Sequence, residues 1–270
     1  MPKTQKIATL NYAFAVGKIR ALEKFLIKGE VFEEAIDSSL AEALRLFVES
    51  DLYSEELLHV KDSQQLETVL NQELLKLKSL ISDLLLDKEL LRLLELNILQ
   101  CVEDILKSYP SEFLEDYFRC LIDMHNIKSF LRLHFLKEPA EKLKHCLTCA
   151  GYIKRETFIG LYGQGLSVLL NRMEYVHKPN SMIVNYSSFL GEAIQRIGKE
   201  NSFVFLEKAI NDFLVQVLKP AKYISFGPEP LLAYYFAKVN EINLIRMIIL
   251  AKLNDVAGDL VKERLNSVYA

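Results

Sequence analysis

Two Glu-x-x-His pairs, Glu56/His59 and Glu174/His177, and one Cys-x-x-Cys pair, Cys146/Cys149 in "HCLTC", are the residue sets in this chain best suited to chemistry. A di-iron bundle uses two Glu-x-x-His pairs plus a glutamate from each of two further helices. Here, however, His59 stands where a short helix runs out before Lys61-Asp62-Ser63, and His177 directly precedes Lys178-Pro179. A histidine at a helix C-terminus is favoured by the helix dipole alone. The cysteine pair needs a second pair at matching spacing to hold zinc, which Cys101 and Cys120 do not supply. As a redox motif it needs a strand leading into a helix, and no strand pattern precedes it. Helical cysteines, buried or half-buried, are the simpler reading. "GLYGQG" (160–165) lacks the Lys-Ser/Thr of a phosphate cradle and reads as a loosened helical turn. Asp83 and Asp87 are too few to hold a pyrophosphate through Mg²⁺. The expectation is a chain with no catalytic residue, no metal and no cofactor.

What must be positioned, then, is a set of helices. The chain has 270 residues, half of them hydrophobic and about a quarter charged, with only ten glycines and seven prolines. Such sparse punctuation favours long helices over strands and tight turns. The formal net charge is −3 and no run of Lys/Arg stands out, which argues against a nucleic-acid binder. Four cysteines in this length fit a reduced, cytoplasmic compartment better than a disulfide scaffold. Lys3 and Lys6 ahead of an apolar stretch ending in Ala13-Phe14-Ala15 sketch a signal peptide, but Asn11 and Tyr12 interrupt it. Helical spacing runs on through Ile19, Leu22, Phe25 and Leu26, so the segment reads as the first structural helix. No apolar run reaches the ~18 residues of a membrane span.

Helical periodicity predicts a first helix over 10–28, closed by Gly29, and a helix opened by a capping box at Ser39/Glu42. The longest helical stretch is 66–109, with apolar residues at 70, 74, 77, 81 and 84, a loss of phase at Asp87-Lys88-Glu89 and Pro110 at its end. Further helices are expected over 111–135, then up to Ala150 with Gly151 as the C-cap, and over 155–176, 186–197, 201–218, 228–254 and 256–266. No alternating strand pattern is visible, so the fold class is all-α.

One internal echo is present. "YFRCLIDMHNIKSFLRLHF" (117–135) lies on "YFAKVNEINLIRMIILAKL" (235–253) without a gap, which places Asp123 opposite Glu241 and Lys128 opposite Arg246. The first helix, with Ile19-Arg20, is a fainter third copy. Three related helical units would account for the length, although amphipathic helices resemble one another by default.

Three stretches together resemble the C-subunit family of V/A-type ATPases, whose eukaryotic member is the d-subunit of the V-ATPase. The first, 12–53, supplies Tyr12, Arg20, Leu44, Asp51 and Tyr53; the second, "DMHNIKSFLR", supplies Asp123, Asn126, Ile127 and Arg132. The third runs Gly227-Pro228-Glu229-Pro230 and continues with Tyr234, Lys238, Glu241, Ile242, Arg246 and Lys252. Residues 55–110 and 140–220 match only as helical pattern. The resemblance implies a single all-helical domain over 1–270, three similar units arranged as a funnel, with approximate boundaries 1–53 (228–270 packed alongside), 54–136 and 137–227. It also implies a job. The family's members are a non-catalytic part of the central stalk that seats the rotor shaft on the membrane proteolipid ring, cytoplasmic and peripheral to the membrane. Those two are the implied partners. A generic α-helical adaptor is the alternative, one with no reason to carry the Gly-Pro-Glu-Pro helix.

The single charges on that almost wholly apolar helix raise a physical question. A helix greasy on all sides belongs inside the bundle, where an unpaired charge costs several kcal/mol. Glu241 and Arg246 are therefore expected to pair with charges on neighbouring helices, unless they reach the surface.

Overall fold

Sparse glycine and proline do produce mostly helices among the described residues. The computed structural model describes residues 11–50, 52–94, 102, 104, 105, 107, 109–178 and 183–270. In chain order the helices are α1 (Ala13–Glu23), α2 (Gly29–Asp37), α3 (Leu40–Val48), α4 (Ser63–Leu84), α5 (Glu112–Phe135), α6 (Ala140–Cys146), α7 (Arg155–Leu161), α8 (Leu166–Glu174), α9 (Ser187–Glu200), α10 (Val204–Leu218), α11 (Glu229–Leu253) and α12 (Gly258–Lys262). Short 3-10 turns occupy Glu55–His59, Lys88–Leu94 and Lys219–Tyr223. The only strands among the described residues are β1 (Val176–His177) and β2 (Ile183–Val184), antiparallel with Val176 opposite Val184. Two-residue strands are too short to leave an alternating pattern, which is why the sequence shows none.

The chain divides into two compact units, Met1–Leu94 with Val215–Ala270, and Glu95–Leu214. In the first, α11 is the central post and packs most extensively on α4, then on α1 and α3. Five consecutive residues, Leu231 to Tyr235, are buried, so the start of this helix has no solvent face. Its Ile245 and Ile249 share a core with Phe32, Phe47, Leu57, Leu66 and Leu70, all fully buried. Burial of each such side chain stabilises by about 1.5–3 kcal/mol relative to exposure. In the second unit α5 is the post. Its Ile127, Phe130 and Leu131 meet Leu143, Phe158, Tyr186 and Leu190.

Several helix ends differ from the periodic reading, most of them for a tertiary reason. The first helix stops at Glu23 instead of reaching Lys28, and Gly29 opens α2 rather than closing α1. The backbone turns there because the Ile27 N–H is given to a side chain on α11, at 2.7 Å. α2 buries Phe32, Ala35 and Ile36, an i, i+3, i+4 stripe. The long stretch breaks as its loss of phase suggested: α4 ends at Leu84 and the Lys88–Leu94 turn begins a few residues on. Tyr12 accounts for the break. Its hydroxyl accepts from the N–H groups of Leu86 (2.9 Å) and Asp87 (3.0 Å) and donates to Asp87 Oδ2 (2.8 Å). Two acceptor sites and one donor are all that a hydroxyl has. The helix expected over 155–176 is divided by Gly163 and Gly165, both at φ 93°, which leaves α7 and α8 as separate pieces. The Ser39 cap is in place: its Oγ accepts from the Glu42 N–H at 3.2 Å.

Candidate functional site

The most structured chemistry in the molecule lies at two buried carboxylates, one on each post helix. On α11, Glu241 is 3% exposed. Its Oε2 accepts from the Ile27 N–H at 2.7 Å and its Oε1 from the Tyr53 hydroxyl at 2.7 Å. Lys238, one turn earlier on the same helix, makes the ion pair with Oε1 and sets its ammonium 3.7 Å from the centre of the Tyr53 ring. The expectation that Glu241 is buried and paired holds, but its cation comes from its own helix, not from a neighbour. The i, i+3 spacing allows this, since such side chains lie on one face. Burial, and after it the Glu241 charge, hold the Tyr53 hydroxyl far above the usual phenol range, so it stays a donor. Burial pulls the Lys238 ammonium down while Glu241 pulls it back up.

Arg246 behaves as expected and reaches across to Glu67 on α4 at 2.8 Å, though both are partly exposed. Lys252 donates to the carbonyls of Ile36 (3.0 Å) and Ser38, at the end of α2, where the helix dipole is negative. At the start of α11, Gly227 has φ 109°, and a Cβ there would sit 2.2 Å from Glu229 Oε2, so only glycine fits. Pro228 is the N-cap and Pro230 lies in the first turn, where a missing N–H removes no helical bond. Arg20 on α1 grips Glu23 at 2.7 Å and donates to the carbonyls of Ala221 (2.6 Å) and Ile224 (2.9 Å).

On α5, Asp123 is wholly buried. Its Oδ1 accepts from the Ile153 N–H (3.0 Å), and its Oδ2 from the Tyr152 N–H (3.1 Å) and the Tyr186 hydroxyl (3.0 Å). Asn126, also wholly buried, exchanges a pair of bonds with the Thr148 backbone at 2.8 and 2.9 Å. Together they staple the 147–153 loop to the post. Arg132 pairs with Glu207 at 2.7 Å near the surface, where such a pair is worth little. Asp51 and Cys101 lie outside the described residues.

The two nodes share a plan. In each, a carboxylate on the post accepts from the backbone of one loop and from a tyrosine that leads the chain towards its next helix. The tyrosines sit in "YSEELL" and "YSSFLG", so the Tyr-Ser at 53–54 and 186–187 was a signal available in the sequence and not read there. They differ in the countercharge. The internal echo puts Cys120 where Lys238 stands, and among the described residues no cation lies within ion-pair distance of Asp123. Burial therefore raises the Asp123 carboxyl to about 7, against its three hydrogen bonds and the Arg119 charge. Burial likewise pushes the Cys120 thiol up to about 12.

Gly151 belongs to this node and is not the helix cap expected of it, since α6 already ends at Cys146. A Cβ on Gly151 would lie 2.2 Å from Asp123 Oδ1 and 3.3 Å from an Ile122 methyl. Asp123 is held on three sides and cannot move aside. Gly151→Ala is expected to cost about 1–3 kcal/mol in urea unfolding. An unchanged midpoint would show that the loop is free to shift. The same change made on an Asp123→Ala background should cost less, because the two positions are in contact.

The residues first considered for metal chemistry do not converge. Cys146 and Cys149 are exposed free thiols, and no group of three or more His, Cys, Asp or Glu among the described residues is placed to hold an ion. Chelators are expected to leave the thermal midpoint unchanged; a fall restored by zinc or iron would contradict this.

Residues 89–264, well over half of the chain, match the ATP synthase (C/AC39) subunit family. The chain belongs to that family. Over 161 residues it is 27% identical to the C-subunit of the V-type sodium ATPase of Enterococcus hirae, a stretch covering 60% of this chain and 45% of that protein. The match thus spans less than half the length of that relative. The Asp123 node and the Gly227–Glu241 part of α11 fall within the C/AC39 match, whereas Tyr12, Arg20 and Tyr53 precede it. Among the described residues no helix is long and apolar enough to cross a membrane.

Proposed function

We propose that this chain is a non-catalytic central-stalk subunit of a rotary V/A-type ATPase or ATP synthase, which couples the rotor shaft to the membrane proteolipid ring. The observation that carries the reading is the match of 89–264 to the C/AC39 family. Two physical features support it. A coupling element must be stiff between its two partners, and α11 and α5 are closely packed posts with fully satisfied buried carboxylates. The residues on which the resemblance rests (Tyr12, Arg20, Tyr53, Asp123, Asn126, Arg132, Gly227 to Pro230, Lys238, Glu241 and Arg246) serve in this reading to hold helices and loops in place, and none takes part in a reaction. The reading includes three related units forming a funnel, and a position on the cytoplasmic face held through the complex. Partner contacts lie on loops and helix ends such as 198–201 and 219–227.

An affinity-tagged chain, purified from gently solubilised membranes of its own host, should bring down the shaft and ring subunits, and alone it should not hydrolyse ATP. Recovery without either partner, or hydrolysis lost on mutating a residue of this chain, would overturn the proposal.

A further inference from the structure

At the end of α1 a cavity of about 300 Å³ is lined by four basic side chains, Arg20, Lys24, Lys28 and Lys222, together with Glu23, Leu26, Tyr269 and Ala270. Its one side-chain carboxylate is already engaged: Glu23 is held by Arg20 at 2.7 Å and accepts from the Tyr269 hydroxyl at 3.3 Å. Lys24, Lys28 and Lys222 make no ion pair among the described residues. Lys222 instead rests its ammonium 4.7 Å from the centre of the Tyr269 ring. Burial disfavours its protonated form, against the Glu23 charge, and the charges of Lys219 and Arg20 add to the effect of burial. On a chain of net charge −3 this corner is therefore a local excess of positive charge. Exposed aromatics stand beside these lysines in the chain, outside the cavity lining: Tyr223 is 88% exposed, Phe226 45% and Phe25 45%. Arg20 joins the two segments, since its guanidinium holds the Ala221 and Ile224 carbonyls.

We propose that this corner receives an acidic segment of a protein partner, whose carboxylates meet Lys24, Lys28 and Lys222 and whose apolar side chains pack on Phe25, Tyr223 and Phe226. Charge complementarity selects an anionic occupant, and the exposed aromatics select one that also brings apolar surface. The concavity favours a peptide segment over a bilayer, which would present a flat array of headgroups. That the segment belongs to a neighbouring ATPase subunit rests on the function proposed above; the surface itself does not.

The test uses the whole chain and a fluorescein-labelled peptide of alternating glutamate and phenylalanine. Binding should be measurable at low salt and weaken as salt rises. Lys24→Glu with Lys222→Glu should weaken it about tenfold or more. Tyr223→Ala with Phe226→Ala removes only exposed rings, should leave the circular dichroism unchanged, and should still weaken binding several-fold. The charge-matched control Lys61→Glu with Lys154→Glu, at exposed sites elsewhere, should bind as wild type. Equal binding by wild type and both test pairs would overturn the proposal. So would binding to phosphatidylserine vesicles with none to the peptide. If the peptide binds as described while the chain brings down no ATPase subunit from membranes, the surface stands and the function proposal falls.

Discussion

Glu241→Lys should lower the stability of the fold by about 3–5 kcal/mol, the cost of breaking a buried ion pair by reversing one partner. For a unit of this size that is roughly 10 °C in Tm. The substitution puts a second ammonium beside Lys238 in a site 3% exposed, and leaves the Ile27 N–H and the Tyr53 hydroxyl without their acceptor. Glu241→Gln should cost less, because one amide oxygen still accepts. Lys238→Met with Glu241→Leu should recover only part of the loss, since it removes both desolvated charges but still leaves the Ile27 N–H and the Tyr53 hydroxyl without an acceptor. If Glu241→Lys melts like wild type and only partner binding is lost, α11 is an interface and its place as the central post is wrong.

The second large effect concerns pH. Asp123 has its carboxyl raised from 3.8 to about 7 by burial, so the folded chain holds this proton more tightly than the unfolded chain does. The stability it contributes is fully present below pH ~4 and is lost as pH rises through about 7. At about 1.4 kcal/mol per pH unit, the whole window is worth on the order of 4 kcal/mol. Protonation is accommodated locally: the Tyr186 hydroxyl, which now donates to Oδ2, also lies 3.6 Å from the Cys120 sulfur and can donate there while accepting from the carboxyl. The other charges near the node are Arg119, Asp116 and Lys178, the last two paired with each other. Melting curves of wild type and Asp123→Asn from pH 5 to 8 should diverge, with wild type losing stability relative to the variant as pH rises. Parallel curves would mean that Asp123 stays ionised throughout.

Much of this was legible in the sequence, and most of the exceptions share one physical cause. Helical spacing and scarce glycine gave the fold class, the loss of phase at 87–89 marked a real break, and the lone charges of the C-terminal helix pointed to partners, buried for Glu241 and partly exposed for Arg246. The echo that set Asp123 opposite Glu241 was the most informative signal, because both turned out to be buried carboxylates with a tyrosine donor. Most of what was misread depends on contacts between residues far apart in the chain, the glycine break within 155–176 being local. Nothing near Gly29 reveals that Ile27 gives its N–H to Glu241, and nothing near Gly151 reveals Asp123 beneath it. A glycine after an apolar run looks like a helix cap whether it relieves the backbone or a neighbour. The Lys238–Glu241 pair could have been foreseen from i, i+3 spacing alone.

The central claim is mechanical coupling, and ATP-driven ion uptake into membrane vesicles measures it most directly. Vesicles from a strain lacking this chain, compared with the same vesicles after the purified chain is added back, should hydrolyse ATP with little ion uptake, and the addition should restore uptake. Full uptake in its absence, or no recovery when a folded chain is shown to rebind, would contradict the account.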